Sequence, residues 1–142
     1  MMKGPLASSL LVALLATITA CVTAPPAVDQ SGNVTIRPAS QELQSQGLQL
    51  FDDYKKAKKR SGNASYNAQL QRVGRRVTRV VNLPGAKWEF VVFEETSPNA
   101  FALPGGKVGV HSGLFKITRT EAGLAAVVAH EIAHVTSNHA QD

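Results

Sequence analysis

Apolar residues recur every three or four positions in two stretches of the chain, and this spacing places them on one face of an α-helix. The first stretch runs from Ser40 to about Arg60, and its apolar face comprises Leu43, Gly47, Leu50, Phe51 and Tyr54. The second begins after Asn63, a residue type that can cap it, and runs to about Val81. Its apolar stripe comprises Tyr66, Leu70, Val73, Val77 and Val80. The pattern therefore predicts two amphipathic helices.

The apolar period changes between Lys87 and Glu95, where a short run of aromatic and β-branched residues replaces the helical spacing. Such a run predicts a largely buried strand. The segment from Ala100 to Val110 carries Pro104-Gly105-Gly106 near its middle, which predicts a hairpin with these residues at its tip.

A long helix is predicted to follow a short helical turn at Gly113 to Ile117. Thr118 and Glu121 have the spacing of a capping box, in which the hydroxyl accepts from the third amide and the glutamate reaches back to the cap amide. The helix is expected to extend at least to Asn138. The order of elements predicts the α+β class, with N-terminal helices, a small β-sheet with an edge hairpin, and the long helix last.

The N-terminus has the composition of an export signal. Lys3 supplies a positive charge, and the apolar stretch from Leu6 to Ile18 is shorter than the roughly 20 residues of a membrane-spanning helix. Ile18-Thr19-Ala20-Cys21 then resembles a bacterial lipobox, which implies cleavage before Cys21 and attachment of acyl chains such as palmitate to that residue. The alternative is an ordinary signal peptide with an incidental cysteine.

This resemblance divides the chain into a lipoprotein signal peptide at 1–20, a lipid-anchored linker at 21–36 and a folded domain at 37–142. The linker has no apolar period, so it is expected to be a flexible tether from the membrane. Val22 rather than Asp follows the cysteine, a pattern that implies an outer-membrane lipoprotein facing the periplasm. Because the chain has one cysteine, it cannot form an internal disulfide.

Basic residues cluster in two runs, at 55–60 and 72–79, and the chain has a formal net charge of +5. No nucleic-acid partner is expected, because an exported lipoprotein rarely meets nucleic acid. A solvated helix face is the ordinary interpretation of such runs. Contact with an anionic membrane surface is the alternative.

The residues with the clearest chemistry are His130, Glu131 and His134 on the long predicted helix. Each helical residue advances about 100°, so His134 lies about 40° from His130 and one turn further along. Two imidazoles on successive turns can bind one tetrahedral zinc ion, with Glu131 placed to take a proton from water at the metal. Zinc lowers the pKa of such water towards about 7.

The residues that flank this motif are apolar and predict a mostly buried helix: Val127, Val128, Ala129, Ile132, Ala133 and Val135. Buried histidines and a buried carboxylate need partners, which a zinc ion would supply. The alternative is a chance match to the motif on a surface helix.

A catalytic zinc ion takes a third protein ligand. His139 lies nine residues after the first histidine of the motif, which puts it about 180° round the helix. His111 follows the hairpin and is a weak candidate, while Glu94 and Glu95 are expected to be solvated. Glu121 is assigned to the predicted cap. None of these residues is favoured as the third ligand.

Two stretches of the sequence match a family pattern when they are taken together. Asn99-Ala100-Phe101-Ala102-Leu103-Pro104-Gly105-Gly106 is followed by Val110-His111-Ser112-Gly113-Leu114, and later come Ala129 to Val135 with Asn138 and His139. They resemble the segment before the active-site helix, and the zinc helix itself, of the M48 family of zinc metallopeptidases. The resemblance extends over roughly Gln41 to Asp142 and includes that family's periplasmic lipoprotein branch.

The resemblance implies a zincin-like endopeptidase that acts on misfolded or damaged cell-envelope proteins. It implies His130 and His134 as ligands of one Zn²⁺ and Glu131 as general base. It also implies that an edge strand pairs with the substrate backbone, formed by Asn99, Ala100, Phe101, Ala102 and Leu103.

In the family the third zinc ligand is a glutamate on a helix downstream of the zinc helix. That position falls beyond Asp142, so the chain is expected to be the incomplete N-terminal part of such a domain and to have little activity alone. One alternative is a non-catalytic lipoprotein module that holds unfolded envelope proteins through its edge strand. Another is a zinc hydrolase of other bonds. The sequence indicates no oligomeric state.

Overall fold

The computed structural model describes residues 27–28, 34–36 and 38–137, and it has the predicted α+β class. Two short strands, β1 (Ala27–Val28) and β2 (Val34–Thr35), precede helices α1 (Gln41–Ala57) and α2 (Ala64–Thr78). Three further strands follow: β3 (Glu89–Phe93), β4 (Ala100–Leu103) and β5 (Lys107–His111). Helices α3 (Leu114–Thr118) and α4 (Glu121–Thr136) complete the described order.

The main sheet has the strand order β3-β5-β4, so β5 is its central strand. Strands β4 and β5 form the predicted hairpin, with antiparallel pairing from Ala100 opposite Val110 to Leu103 opposite Lys107. Strand β3 runs parallel to β5 on the other side. The hairpin therefore supplies both the centre of the sheet and one of its edges.

The strands direct alternate side chains towards two layers of helices. One face of the sheet packs on α2, α3 and α4 and forms the main core, which includes Leu70, Val73, Phe90, Val92, Val108, Val110, Leu124, Val128 and Ile132. The other face meets α1, where Tyr54 contacts the rings of Phe93 and Phe101 with centroids 4.7 Å and 5.0 Å away. Because β5 lies between both layers, all five of its residues are buried.

The predicted cap at Asn63 is confirmed, and Ser40 caps α1 in the same way. The Ser40 hydroxyl accepts from the Leu43 amide at 3.2 Å, and the Asn63 side chain accepts from the Tyr66 amide at 3.1 Å. Such side-chain acceptors satisfy amides that have no partner within the helix.

The predicted capping box at Thr118 and Glu121 is wrong. Arg119 takes a left-handed conformation with φ of 54° at the end of α3, and α4 starts only at Glu121. Thr120 is therefore the cap, and its hydroxyl accepts from the Gly123 amide at 3.0 Å. Glu121, now the first helical residue, instead pairs with two arginines of α2. Helix α4 ends at Thr136, and Asn138 lies outside the described residues.

Two residues of the predicted apolar stripes are exposed. Leu50 is 57% exposed and Val80 is 87% exposed. Helix α1 buries Gly47 and Phe51, which leaves Leu50 on the solvent side of that contact. Val80 lies beyond the end of α2, where the chain has left the helical path.

The expected tether at 21–36 contains an element that was not predicted. Strands β1 and β2 pair antiparallel, with Ala27 opposite Thr35 and Val28 opposite Val34. The predicted signal peptide at 1–20 and Cys21 lie outside the described residues. Within the part of the chain that the structure describes, no helix is both long and apolar enough to cross a membrane.

Candidate active site

Helix α4 brings His130 and His134 together on its exposed face. Their Nε2 atoms are 3.0 Å apart, and their rings are nearly perpendicular at 89° with centroids 4.6 Å apart. This is the consequence of their spacing of one helical turn. The two Nε2 atoms are therefore adjacent and within hydrogen-bond distance of each other.

The prediction that these histidines are buried is wrong. Helix α4 buries a single stripe at spacings of three and four residues, formed by Leu124, Val128, Ile132 and Val135. Ala129, His130, Ala133 and His134 lie on the opposite, exposed side. The apolar flanks of the motif include alanines, and alanine favours a helix without requiring burial. Because His130 and His134 are exposed, burial does not require a metal partner for either residue.

The two histidine nitrogens fit two positions of a zinc site. Ligands at about 2.0–2.1 Å from a tetrahedral zinc ion lie about 3.3 Å apart, close to the 3.0 Å between the two Nε2 atoms. Neutral imidazole is also a preferred zinc ligand. Among the described residues, no group of three His, Cys, Asp or Glu side chains could hold a metal ion. The described part of the chain thus places two imidazole nitrogens at a separation that suits two ligands of one zinc ion.

Glu131 is half-buried beside this pair. Within residues 38–137, no lysine or arginine forms an ion pair with its carboxylate, whereas Asp52, Glu89, Glu95 and Glu121 all have such partners. A carboxylate without a cation partner can accept a proton from a water molecule near the histidines.

Two of the other candidate ligands, His111 and Glu95, have partners elsewhere in the structure. His111 is 7% exposed, and its ring nitrogens contact the hydroxyls of Tyr54 at 2.8 Å and Ser97 at 3.0 Å. Glu94 is exposed as expected, whereas Glu95 pairs with Lys58 at 2.8 Å and is not fully solvated. His139 lies outside the described residues.

Glu121 connects α4 to α2. Its two carboxylate oxygens accept from Arg72 at 2.7 Å and from Arg76 at 2.9 Å. The hydrogen bond from Arg72 is the main cause that lowers the pKa of the Glu121 carboxyl. This pair fixes the first turn of the helix that carries the histidines. No sequence pattern links these positions, because they lie 45 and 49 residues apart.

Strand β4, the predicted substrate strand, is an edge of the sheet and lies beside α4. The His111 amide donates to the Asn99 carbonyl at 2.9 Å, so this opposed pair is hydrogen-bonded. Because hydrogen-bonded and non-bonded pairs alternate in an antiparallel ladder, the amides and carbonyls of Ala100 and Ala102 point away from β5. Among the described residues, no hydrogen bond reaches these outward groups, which we call the open edge.

The opposite edge of the sheet, β3, is covered. The Val92 carbonyl accepts from the Ser61 amide, and the Glu94 amide donates to the Lys59 carbonyl, both at 2.8 Å. The Phe90 carbonyl accepts from the side-chain amide of Gln71 at 2.9 Å. The outward carbonyls of Phe90 and Val92 and the amide of Glu94 thus have partners within the chain.

Three of the five basic residues at 55–60 form ion pairs, namely Lys55, Lys56 and Lys58. Lys55 bonds Asp52 at 2.8 Å and Glu89 at 2.9 Å, and Lys107 lies 3.3 Å from the same Glu89. Burial opposes ionisation of Glu89, but hydrogen bonds from Lys55 and Lys107 outweigh it and lower the pKa of Glu89. Lys55 therefore attaches α1 to the sheet. The other basic residues of this run are exposed, as the solvated-face interpretation expects: Lys56, Lys58, Lys59 and Arg60.

Comparison with known proteins places this geometry in a family. The model of peptidase family M48 matches residues 64–142, more than half of the chain. The matched range includes β3 to β5 and all of α4.

Several curated proteins are similar to this segment. The mitochondrial metalloendopeptidase OMA1 of Schizosaccharomyces pombe is 44% identical over 73 residues, which is 51% of this chain and 22% of that protein. The beta-barrel assembly-enhancing protease of Yersinia pestis is 35% identical over 98 residues, 66% of this chain and 20% of the relative. The protein of that name in Escherichia coli is 39% identical over 70 residues, 49% of this chain and 14% of the relative. The chain thus spans about a fifth or less of these relatives.

Proposed function

This chain belongs to peptidase family M48, and from that premise we propose that it carries part of the active site of a zinc-dependent endopeptidase. The observation that carries the proposal is the convergence of the His130 and His134 Nε2 atoms at 3.0 Å, on a helix beside the open edge. In this proposal residues 37–142 are the N-terminal part of the peptidase domain.

His130 and His134 would hold the zinc ion, with a further ligand from outside residues 38–137. When bound, zinc acts as a Lewis acid and lowers the pKa of water. Glu131 accepts the proton of the attacking water at its carboxylate and passes it to the leaving amine. No described cation competes for that carboxylate.

The open edge would bind the substrate as an added strand. The outward amides and carbonyls of Ala100 and Ala102 can pair with the backbone of an extended peptide. Asn99, Phe101 and Leu103 would contribute by pairing with β5, which holds Ala100 and Ala102 in place. Such pairing uses main-chain groups of the substrate and demands little of its sequence, but it requires a locally unfolded chain.

Misfolded or damaged cell-envelope proteins are the proposed substrates. Two supports are independent of each other: bacterial relatives are named as beta-barrel assembly-enhancing proteases, and the sequence Ile18 to Cys21 resembles a lipobox. In this proposal acyl chains on Cys21 attach the protein to the outer membrane, where it faces the periplasm.

A second candidate is a non-catalytic module that binds unfolded envelope proteins through the open edge. It is favoured by one observation, that no group of three His, Cys, Asp or Glu side chains among the described residues could hold a metal ion. Both candidates predict peptide binding, and they differ in turnover.

The deciding experiment compares Glu131→Gln with Glu94→Gln in the protein that carries residues 37–142 together with the further zinc ligand. The substrate is reduced, carboxymethylated α-lactalbumin, cleavage is followed by mass spectrometry of the products, and zinc content is measured by native mass spectrometry. Glu131→Gln should lower the cleavage rate by a factor of at least about 100, the scale of general-base catalysis, with zinc retained. Glu94→Gln removes an exposed carboxylate and should leave the rate unchanged. Undiminished cleavage by Glu131→Gln would reject the mechanism, and binding without any cleavage by the unaltered protein would support the second candidate.

A further inference from the structure

His111, Ser112 and Gly113, at the end of the central strand, bind the connection that leads from β3 into β4. The Ser112 amide donates to the Phe93 carbonyl, and the Gly113 amide donates to the Glu95 carbonyl, both at 2.8 Å. The Ser112 hydroxyl donates to the same Glu95 carbonyl at 3.0 Å. These three bonds fix the first half of the connection.

His111 fixes the second half of the connection. Its amide donates to the Asn99 carbonyl at 2.9 Å, and its Nδ1 atom lies 3.0 Å from the Ser97 hydroxyl. The buried residue His111 thus contacts both Ser97 and Asn99, through which the chain enters β4. Ala100, the first residue of the open edge, follows directly.

Tyr54 connects His111 to helix α1. The Tyr54 hydroxyl lies 2.8 Å from His111 Nε2, and the two rings are stacked with an angle of 14° between them. The ring of Tyr54 also packs edge-on against Phe101 of β4. Phe101 lies over Gly109, where a Cβ atom would come within 2.3 Å of its ring. Helix α1, His111 and the middle of β4 are therefore in contact as one unit.

The ring of His111 has a hydrogen-bond partner at each nitrogen. A neutral imidazole has one donor and one acceptor nitrogen, and a hydroxyl can serve as either, so both nitrogens are satisfied in either tautomer. In the described structure the ring of His111 forms no ion pair, and neither the proposed metal site nor the proposed hydrolysis uses it. All its contacts lead to the entry of β4 or to the helix beneath that strand.

We propose that His111 is a positioning residue for the open edge. It holds Ser97 and Asn99 against Tyr54 of α1, so that the outward groups of Ala100 and Ala102 keep the spacing that an incoming strand requires. The inference rests on the proposed function in one respect, that the open edge binds an extended peptide.

Hydrogen exchange of the full chain tests the local part of this inference. Tyr54→Phe and Ser97→Ala each remove one hydroxyl partner of His111 and leave its ring in place. Gln71→Ala is the matched control, because it removes a part-buried hydrogen bond of 2.9 Å at the covered edge. Both test variants should speed exchange across 95–103 about fivefold, the effect of one hydrogen bond, and the control should act only on β3. Unchanged exchange at 95–103 in both test variants would overturn the proposal.

Peptide binding tests the functional part. Fluorescently labelled, reduced and carboxymethylated α-lactalbumin is titrated with each variant in EDTA, which prevents cleavage, at a temperature where all variants are folded. Tyr54→Phe and Ser97→Ala should raise Kd about fivefold, and Gln71→Ala should leave it within about twofold of the unaltered chain. A lower Tm with unchanged Kd would show a merely structural role and would overturn the proposal. Failure of the unaltered chain to bind the probe would instead reject the peptide-binding edge, while the exchange rates still decide whether His111 fixes the strand.

Discussion

The two edges of the three-stranded sheet differ in how their main-chain groups are satisfied. At the β3 edge, the carbonyls of Phe90 and Val92 accept hydrogen bonds from Gln71 and Ser61. At the β4 edge, no described residue bonds the outward groups of Ala100 and Ala102. Both edges belong to one sheet, and the chain supplies hydrogen-bond partners for outward main-chain groups at only one of them among the described residues.

This difference bears on function because an uncovered edge is a hazard. Unpaired strand edges recruit other chains, and proteins usually cover or shorten them. Here the uncovered edge is the one beside α4 and its two histidines. A strand added there would join the edge of the sheet that packs against α4. The contrast between the edges therefore supports peptide capture at β4 as a function of the sheet.

The largest expected effect concerns the connection into β4. A Cβ atom at Gly113 would lie 2.0 Å from the Thr96 carbonyl oxygen, whereas nothing lies within 4 Å of one at Gly62, next to the segment that covers β3. Gly113→Ala should lower the free energy of unfolding by about 3 kcal/mol, because a main-chain atom must move. Gly62→Ala should change it by less than about 1 kcal/mol. Denaturant titration of both variants checks this, and equal stabilities would show that the connection is not held as described.

A proline tests the direction of the β4 amides. The Ala102 amide points outward, so Ala102→Pro removes a donor of the open edge without removing a bond to β5. Binding of unfolded α-lactalbumin should weaken about tenfold, because the edge loses a hydrogen bond between uncharged groups and the proline ring blocks the approach of a peptide. Gln71→Ala, at the covered edge, should leave binding unchanged. Equal binding by Ala102→Pro and the unaltered chain would show that peptides do not pair there.

Much of the fold follows from local patterns in the sequence. Neighbouring residues specify the helix that starts at Ser40, the cap at Asn63, the hairpin around Gly105 and the strand at 89–93, and the structure confirms them. The parallel pairing of β3 with β5 was not predictable in this way, because it depends on contacts between distant segments. The capping error has the same origin. Glu121 satisfies arginines 45 and 49 residues away rather than its own helix terminus.

In the candidate site, too, local patterns predict some features and contacts between distant residues determine the others. The spacing of His130 and His134 predicts a shared helix face, and the structure places their nitrogens 3.0 Å apart. Their burial was predicted wrongly, because the alanines beside them are apolar in composition but lie on the exposed side of α4. The contact of His111 with Tyr54 carried no sequence signal, since 57 residues separate the two. The open edge itself could be derived only from the strand order and from the alternation of hydrogen-bonded and non-bonded pairs between β4 and β5.

The smallest expected effect is a pH dependence at the covered side of the sheet. Glu89 of β3 lies within 2.9 Å of Lys55 and 3.3 Å of Lys107, and its pKa is lowered from 4.5 by these lysines against the opposing effect of burial. A depressed pKa stabilises the folded state above the unfolded value, so this contribution is present above about pH 4.5 and is lost as the pH falls through the folded pKa. Because the side chain is about a third exposed, we expect this contribution to the free energy of unfolding to be less than about 1 kcal/mol.

Glu89→Gln should therefore reduce the fall in Tm between pH 6 and pH 3, measured by thermal unfolding, whereas Glu94→Gln should leave that fall unchanged. An identical pH profile for Glu89→Gln and the unaltered chain would show that these lysines do not attach α1 to the covered side of the sheet through Glu89.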